Sequence, residues 1–235
     1  MRKIMLLALT VTLLGATAFS QVNLGKKNTN WKVYNGMPAS KSFWDINQAQ
    51  TVIGGVSFPI QQFISPTTGS FAIYLLANYN TDITGLTLTA DANWSLGTYS
   101  TRSTTFPGAH VRFVFQDVTS GTYSSNDYWW SSVNLDLNST TNGNLNGGTL
   151  EASLADRSLW TNVCGQSATD TTPHPGPNCV GGTDPAVSPS DGFSNAMKNV
   201  KLVGLAFGSD GSYASGIAMN NATGAFTLTK FTIAP

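Results

Sequence analysis

Short stretches in which apolar and polar residues alternate recur along most of the chain, separated by Gly, Asn, Ser and Asp. Alternation with a period of two is typical of β-strands that bury one face, and the intervening residues favour turns. Helical periodicity is confined to residues 190–200, where Ser190 or Asp191 can cap one or two turns that bury Phe193 and Met197. The pattern predicts strands at 31–35, 51–58, 70–78, 83–92, 110–118, 127–137, 149–154, 199–208, 212–219 and 224–234.

Many short strands without interleaved helices predict an all-β fold, an antiparallel β-sandwich, and not a parallel α/β sheet. A jelly roll is the specific form that we predict, with one short helix near residues 190–200. The last strand, GAFTLTKFTIA, is long and alternating, as a strand that closes a sandwich beside the N-terminal one should be. We find no Pro/Gly linker with a change of composition on both sides, so residues 21–235 are predicted to form a single domain.

The first 20 residues have the three-part layout of a secretory signal peptide. Arg2 and Lys3 precede an apolar run from Ile4 to Leu14, and small residues follow. The run is too short to span a bilayer as a helix, although retention as an uncleaved anchor is the alternative. We expect residues 1–20 to be removed and the mature protein to be secreted, extracellular or periplasmic, without a membrane anchor.

Composition limits the partners that the protein can have. The chain has 12 basic and 12 acidic residues, and the loss of Arg2 and Lys3 leaves the mature protein weakly acidic. That balance favours neither nucleic acid nor an anionic membrane surface as a partner. Charged residues make up 10% of the chain, so its solubility depends on neutral hydrogen-bonding groups, which suit secreted proteins that face sugars.

Both cysteines, Cys164 and Cys179, lie in the mature part of the chain. Exported proteins meet an oxidising environment, so we predict a disulfide between them. It would close a proline-rich loop of about 16 residues and contribute about 3 kcal/mol by the chain-entropy estimate. Zinc binding by the cysteines and His174 is the weaker alternative, because a fourth ligand and a CxxC-type spacing are missing.

The segment DYWWSSVNLDL at 127–137 places two tryptophans next to each other in a predicted strand. Side chains on a strand point alternately to opposite faces, so Trp129 and Trp130 cannot both be core residues. The later odd-numbered positions of the strand are apolar, which makes the face of Trp129 the core face. Trp130 is therefore predicted to point outward, together with Tyr128 and Asn134.

The preceding strand, HVRFVFQDV at 110–118, repeats this pattern, with His110, Arg112 and Gln116 on its outer face. A hairpin that pairs the two strands is predicted, although a Greek-key topology would separate them. Side by side, they would display aromatic rings flanked by polar groups. A sugar ring needs both, because it presents C–H groups on one face and hydroxyls around its edge.

We therefore predict a ligand-binding face on these two strands. Its residues are Tyr128, Trp130, Arg112, Gln116, His110 and Asn134. An exposed Trp130 is the feature that distinguishes this prediction from the alternative. In that alternative, Trp130 is covered by a loop or by the N-terminal segment KSFWDINQ at 41–48.

The signatures of a catalytic or metal site are weak. A glycosidase needs two carboxylates across the scissile bond, but the chain has one glutamate, Glu151, and the predicted face offers Asp136, with Asp127 at its strand's start. The G-x-S-x-G nucleophile elbow is absent. Asp210 in GSDGSY is the best candidate for structural calcium, but further carboxylates are missing and a plain hairpin turn explains the segment better. We predict no catalytic residue, no cofactor and no metal ligand.

Several blocks of the sequence carry a resemblance: HVRFVFQD, YSSNDYWWSS, DRSLWTNVCG, and the C-terminal FSNAMKNVKLVGLAFG with SYASGIAM and GAFTLTKFTI. In this order they resemble a largely uncharacterised group of secreted bacterial β-sandwich proteins, over roughly residues 70–234. The architecture is also similar to jelly-roll carbohydrate-binding modules, although a fold does not fix a function. Some members of the secreted group end in a hydrophobic sorting signal, and the ending FTIAP favours release over anchoring.

These observations predict a secreted, non-catalytic protein that binds a carbohydrate or similar extracellular polymer on one sheet face through exposed aromatics. A structural or matrix protein of the cell exterior, with its aromatics buried and no groove, is the alternative. A glycoside hydrolase or polysaccharide lyase is the weaker third possibility, and it requires two carboxylates within reach of one cleft.

Overall fold

A computed structural model of the chain describes residues 31–36, 45–48, 50–52, 55–65, 71–106, 108–117, 123–138, 147–173, 182–183, 187–211, 213 and 215–235. Strands dominate these ranges, as the alternating pattern predicted. The predicted signal peptide at 1–20 lies outside them.

The strands vary in length from two to eleven residues. In chain order they are β1 Trp31–Gly36, β2 Asp45–Gln48, β3 Gln50–Val52, β4 Gly55–Ile60, β5 Gln62–Phe63, β6 Phe71–Thr81, β7 Thr87–Trp94, β8 Tyr99–Thr101, β9 His110–Gln116, β10 Tyr123–Ser124, β11 Tyr128–Asp136, β12 Gly147–Ser153, β13 Trp160–Asn162, β14 Gly182–Thr183, β15 Val200–Gly208, β16 Ile217–Asn220 and β17 Gly224–Ala234. The sequence pattern missed β2, β5, β8, β10, β13 and β14, because two to four residues are too few to show a period.

Two large sheets contain most of these strands. The larger has the order β13-β11-β9-β15-β6-β1-β2, and β16 joins its β6 to β5 and β8. The smaller has the order β12-β7-β17-β4-β3. Neighbours within both orders are antiparallel, which confirms the predicted antiparallel sandwich.

The connectivity of the sandwich is that of a jelly roll. Its principal strands are β4, β6, β7, β9, β11, β12, β15 and β17, which we number one to eight in chain order. The smaller sheet then has the order 1-8-3-6 and the larger the order 2-7-4-5. This is the arrangement of two interleaved Greek keys. The last strand, β17, lies beside β4, as predicted for a strand that closes the sandwich.

The main core lies between the two sheets. Phe207 of β15 packs edge-on against Phe58 of β4, with ring centroids 5.6 Å apart. Phe113 of β9 meets Phe231 of β17 in the same way at 5.9 Å. Both pairs join one sheet to the other, so burial of these rings holds the two layers together.

A short helix, α1 Pro189–Lys198, confirms the helix predicted near 190–200. Ser188 is its N-cap and accepts a hydrogen bond from the N–H of Asp191 at 3.2 Å. The helix begins earlier than predicted, because proline is well tolerated at the first helical position. Phe193 and Met197 are buried, as expected. In the part of the chain that the structure describes, no helix is long and apolar enough for a membrane crossing.

Candidate functional site

The two tryptophans of β11 point to opposite faces of the larger sheet. Trp129 is fully buried in the main core, whereas Trp130 belongs to a separate apolar cluster on the outer face. Strand β11 pairs with β9 in the predicted hairpin, and Trp130 lies opposite Val114 while Asn134 lies opposite Arg112. The predicted division of the two faces is confirmed.

Strand β11 bulges between these two pairs. Three residues separate Trp130 from Asn134, but a single residue, Phe113, separates their partners on β9. Because the excess is two residues, the alternation of faces is preserved and Asn134 stays on the outer face. Buried Ser131 stabilises the bulge, since its Oγ accepts a hydrogen bond from Phe113 N–H at 3.1 Å and donates one to the Val133 carbonyl at 2.8 Å.

Trp130 is covered, so the prediction of an exposed platform is wrong. Its exposed fraction is 4%. Tyr128 stacks on it with ring centroids 6.4 Å apart at 22°, and Tyr213 contacts it edge-on at 6.5 Å. Tyr213 belongs to the segment 209–216, which joins β15 to β16. Tyr128 is only partly buried, so it is the more accessible ring of the stacked pair.

The N-terminal segment at 41–48 was the other cover that we considered. Residues 45–48 form β2, which pairs with β1 at the edge of the larger sheet. Residues 41–44 lie outside the described ranges. Contacts from the segment 209–216 were not expected, because the sequence indicated only a hairpin turn there. Strands β15 and β16 are not paired with each other, so that turn prediction is wrong.

Asp210 and Tyr213 attach the segment 209–216 to β9. An Asp210 oxygen lies 2.5 Å from His110 Nε2 and 3.9 Å from Arg112 Nη2. The Arg112 guanidinium lies over the Tyr213 ring, 4.3 Å from its centroid, in a cation–π contact. We predicted His110 and Arg112 as ligand contacts, but both are buried and bind this segment. Asp210, the suggested calcium ligand, faces basic side chains instead.

Several buried polar atoms on the outer face have no hydrogen-bond partner in the described structure. They are Arg112 Nε, Gln116 Nε2, Trp130 Nε1 and His110 Nδ1. A buried donor without a partner costs about 1–3 kcal/mol. Burial also lowers the pKa of Arg112, against the opposing influence of Tyr213 and Asp210. The face therefore holds hydrogen-bonding capacity that no described residue uses, on atoms that are closed to solvent in this structure.

Asn134 differs from the other predicted site residues. It is exposed, and its Nδ2 donates a hydrogen bond to the Ser132 carbonyl at 3.2 Å. Arg112, the residue opposite Asn134 on β9, is buried. Asn134 therefore lies at the solvent-exposed margin of the face, and its contact with a ligand stays a prediction.

Two further tyrosines of this face were missed by the sequence analysis. Tyr34 of β1 and Tyr74 of β6 are cross-strand partners and belong to the outer cluster with Trp130. Tyr74 stands in the continuous apolar run FAIYLLA, where a period of two is invisible. Tyr34 could have been found, because it alternates with the apolar Val33. The aromatic surface thus extends from β11 across the sheet to β1.

Asp117 and Asp127 form a carboxyl pair where β9 ends and β11 begins. The N–H of Asp117 donates to the carbonyl of Asp127 at 3.3 Å. Burial, together with the charge of Asp127, raises the pKa of Asp117 to about 7. Asp136, the other carboxylate that the sequence placed on the predicted face, is exposed and accepts a hydrogen bond from Asn138 N–H at 2.8 Å.

Asp117→Asn is expected to stabilise the protein near neutral pH. The pKa of Asp117 is about 7 in the folded protein against an ordinary value of 3.8, so wild-type stability falls as pH rises between these values. Asparagine does not ionise, so the stability of the variant does not fall with pH for this reason. After allowance for partial exposure, we expect a gain of about 1–2 kcal/mol above pH 7 and little change near pH 4. Urea unfolding across this pH range measures the effect, with Asp136→Asn as the exposed control. Parallel profiles of stability against pH for wild type and Asp117→Asn would contradict the raised pKa of Asp117.

The predicted disulfide is only partly within the described ranges. Cys164 is not a free cysteine, and its N–H donates to Asn162 Oδ1 at 3.0 Å in the turn after β13. Cys179 and His174 lie outside those ranges, so the pairing stays a prediction. The described residues contain no cluster of three or more His, Cys, Asp or Glu side chains suited to a metal ion.

Comparison with known proteins gives little further information. No protein-family model and no curated protein matches the sequence. Among solved structures, the chain is similar to a xylan-binding module, CBM15, with a TM-score of 0.39 and 11% identity over 91% of this chain and 97% of that chain. A superposition of this quality does not establish a shared ligand. The resemblance to secreted bacterial proteins also stays a prediction.

Proposed function

We propose that the protein is a secreted, non-catalytic binding protein that recognises a carbohydrate or similar extracellular polymer on the outer face of its larger sheet. The observation that carries the proposal is the partly accessible ring of Tyr128, which stacks on Trp130 and has Gln116 directly opposite it on β9. Secretion is part of the proposal and depends on the layout of residues 1–20.

Both halves of a sugar-binding surface are represented on this face. Sugar hydroxyl oxygens accept hydrogen bonds from N–H groups, and the C–H face of the ring packs on an aromatic platform. Gln116 lies directly opposite Tyr128 on the neighbouring strand, so donor and platform are adjacent. The positive charge of Arg112 is balanced in part by Asp210 at 3.9 Å, which favours a neutral polymer over a strongly anionic one.

The platform role belongs to Tyr128 in this proposal. Trp130 stacks with Tyr128, with the two ring planes 22° apart, and is the covered member of the pair. Trp130 thus fixes the orientation of the Tyr128 ring, which is the part of the pair that a ligand can reach. The partial burial of Tyr34, Tyr128 and Tyr213 also argues against the matrix-protein alternative, which requires all aromatic residues of the face to be buried.

Tyr128→Ala is expected to weaken polymer binding by about tenfold or more, with a small effect on the unfolding midpoint, because its ring is partly accessible. Affinity electrophoresis and pull-down against a panel of soluble and insoluble polysaccharides measure this. Tyr79→Ala is the matched control, since Tyr79 is also partly buried but packs against the main core. Retained binding in Tyr128→Ala, or failure of the wild type to bind any polymer, would overturn the proposal.

A glycoside hydrolase is the second candidate function, because Asp117, with its pKa raised to about 7, has the protonation behaviour of a general acid. Asp127 does not fit the second role: it is hydrogen-bonded to Asp117, whereas the two carboxyl groups of a glycosidase lie about 5–9.5 Å apart. A hydrolase would release reducing ends from the bound polymer, and Asp117→Asn would stop this release without loss of binding. A non-catalytic binding protein would release no reducing ends, either as the wild type or as Asp117→Asn.

A further inference from the structure

A cleft of about 270 Å³ lies beside the short strands β5 and β8, outside the set of residues that forms the proposed polymer-binding face. Strand β16 lies between β5 and β8 and pairs with both, through Met219 opposite Gln62 and Tyr99. The cleft is therefore built on paired backbone and not on a loop alone. Its lining residues are Phe63, Tyr99, Ser100, Thr101, Ser103, Phe106 and Gly108.

Two phenylalanine rings contribute to the apolar part of the cleft. Phe63 packs edge-on against Phe71 with ring centroids 6.0 Å apart. Phe106 is 43% exposed, and one side of its ring packs closely on the backbone of Gly211, where an added Cβ would lie 2.5 Å from it. The contact restricts the ring on that side and leaves its exposed part accessible to a ligand.

Three hydroxyl groups contribute the polar part of the cleft, and each has capacity beyond its internal hydrogen bond. Ser100 Oγ donates to Asn220 Oδ1 at 2.8 Å, and Thr101 Oγ1 donates to the Ser103 carbonyl at 3.4 Å. Both can still accept a hydrogen bond. Ser103 Oγ accepts one from Phe106 N–H at 3.1 Å and keeps its own O–H to donate.

We propose that this cleft is a second binding site and takes a single neutral sugar ring. The described residues that line it include no charged side chain, so none of them would compensate the charge of an ionic ligand on entry. Hydroxyls beside aromatic rings suit a ligand with hydroxyls on its edge and C–H groups on its face. The volume of about 270 Å³ lies just below the usual range for ligand sites of about 300–1,000 Å³, which limits the occupant to one small ring.

The test is a titration of the purified protein with neutral monosaccharides, followed by amide NMR shifts. Glucose, galactose, mannose and xylose are the probes, with glucuronic acid as the charged comparison. We expect shifts at 99–106 with at least one neutral sugar, and binding about tenfold weaker in Phe106→Ala. Gly211→Ala should act similarly, because its methyl group would displace the Phe106 ring from its position in the lining.

Matched variants separate this site from the polymer-binding face. Ile64→Ala is the control for surface apolarity, since Ile64 is 72% exposed, neighbours Phe63 and does not line the cleft. Tyr128→Ala should keep monosaccharide binding, so the two proposals fail independently. The proposal is overturned if no neutral sugar shifts 99–106 at up to about 0.1 M, or if Phe106→Ala and Gly211→Ala, both folded by their spectra, bind as the wild type does.

Discussion

Phe193→Ala is expected to lower the free energy of unfolding by about 3–5 kcal/mol, the largest loss we predict for a single substitution. Phe193 is fully buried where α1 meets the sandwich. Its ring lies 4.9 Å from that of Trp129, 5.7 Å from Phe115 and 6.0 Å from Trp160, between ring centroids. Alanine would leave a cavity among three large rings, and rigid neighbours of this kind collapse poorly into an empty space.

Urea unfolding monitored by tryptophan fluorescence measures this loss. The control is Asn195→Ala, an exposed position on the same helix, which should change the free energy by less than about 0.5 kcal/mol. A loss below about 1 kcal/mol in Phe193→Ala would mean that α1 contributes little to the core. The folded variant should also show changed tryptophan emission, because Trp129 and Trp160 both contact the deleted ring.

Trp130→Ala is expected to lower the free energy of unfolding by about 2–4 kcal/mol, although this residue lies on the outer face. The ring is covered and contacts Tyr128 and Tyr213, so its removal opens a cavity in the outer cluster. The loss is smaller than for a core tryptophan, because the unpartnered Nε1 disappears together with the ring. Polymer binding should fall as well, since Tyr128 loses its support.

Trp130→Phe separates the two effects, because it keeps an aromatic ring but removes the N–H donor. We expect its stability and its affinity for a polymer to be close to those of the wild type, because the ring that supports Tyr128 is kept and the covered Nε1 is out of reach of a ligand. Thermal unfolding and affinity electrophoresis of the wild type, Trp130→Ala and Trp130→Phe measure stability and polymer affinity, respectively. An unchanged midpoint in Trp130→Ala would show that the ring is exposed in solution and that Tyr213 does not cover it.

The faces of the sheet could be predicted from the sequence, but the exposure of its residues could not. The assignment of Trp129 and Trp130 to opposite faces needed only the period of the strand, which is a local property. Whether Trp130 is covered depends on Tyr213, which lies more than 80 residues further along the chain. Asp210 in the same segment likewise converts His110 from a predicted ligand contact into an anchor.

The carboxyl pair and the tyrosines of β1 and β6 show two further limits of prediction from the sequence. The predicted hairpin brought β9 and β11 together, but pairing Asp117 with Asp127 requires the register of the strands, which the sequence does not specify when one strand bulges. Tyr74 was missed for a different reason. Strand β6 is buried on both faces over most of its length, so its apolar residues do not alternate with polar ones.

The two-residue excess in β11 also restricts how this strand can change length during evolution. Loss of one residue between Trp130 and Asn134 would turn every later side chain to the opposite face and carry Leu135 and Leu137 out of the core. Loss of two residues would only remove the bulge and leave both faces intact. Homologous chains that keep this sheet should therefore differ in length here by even numbers of residues.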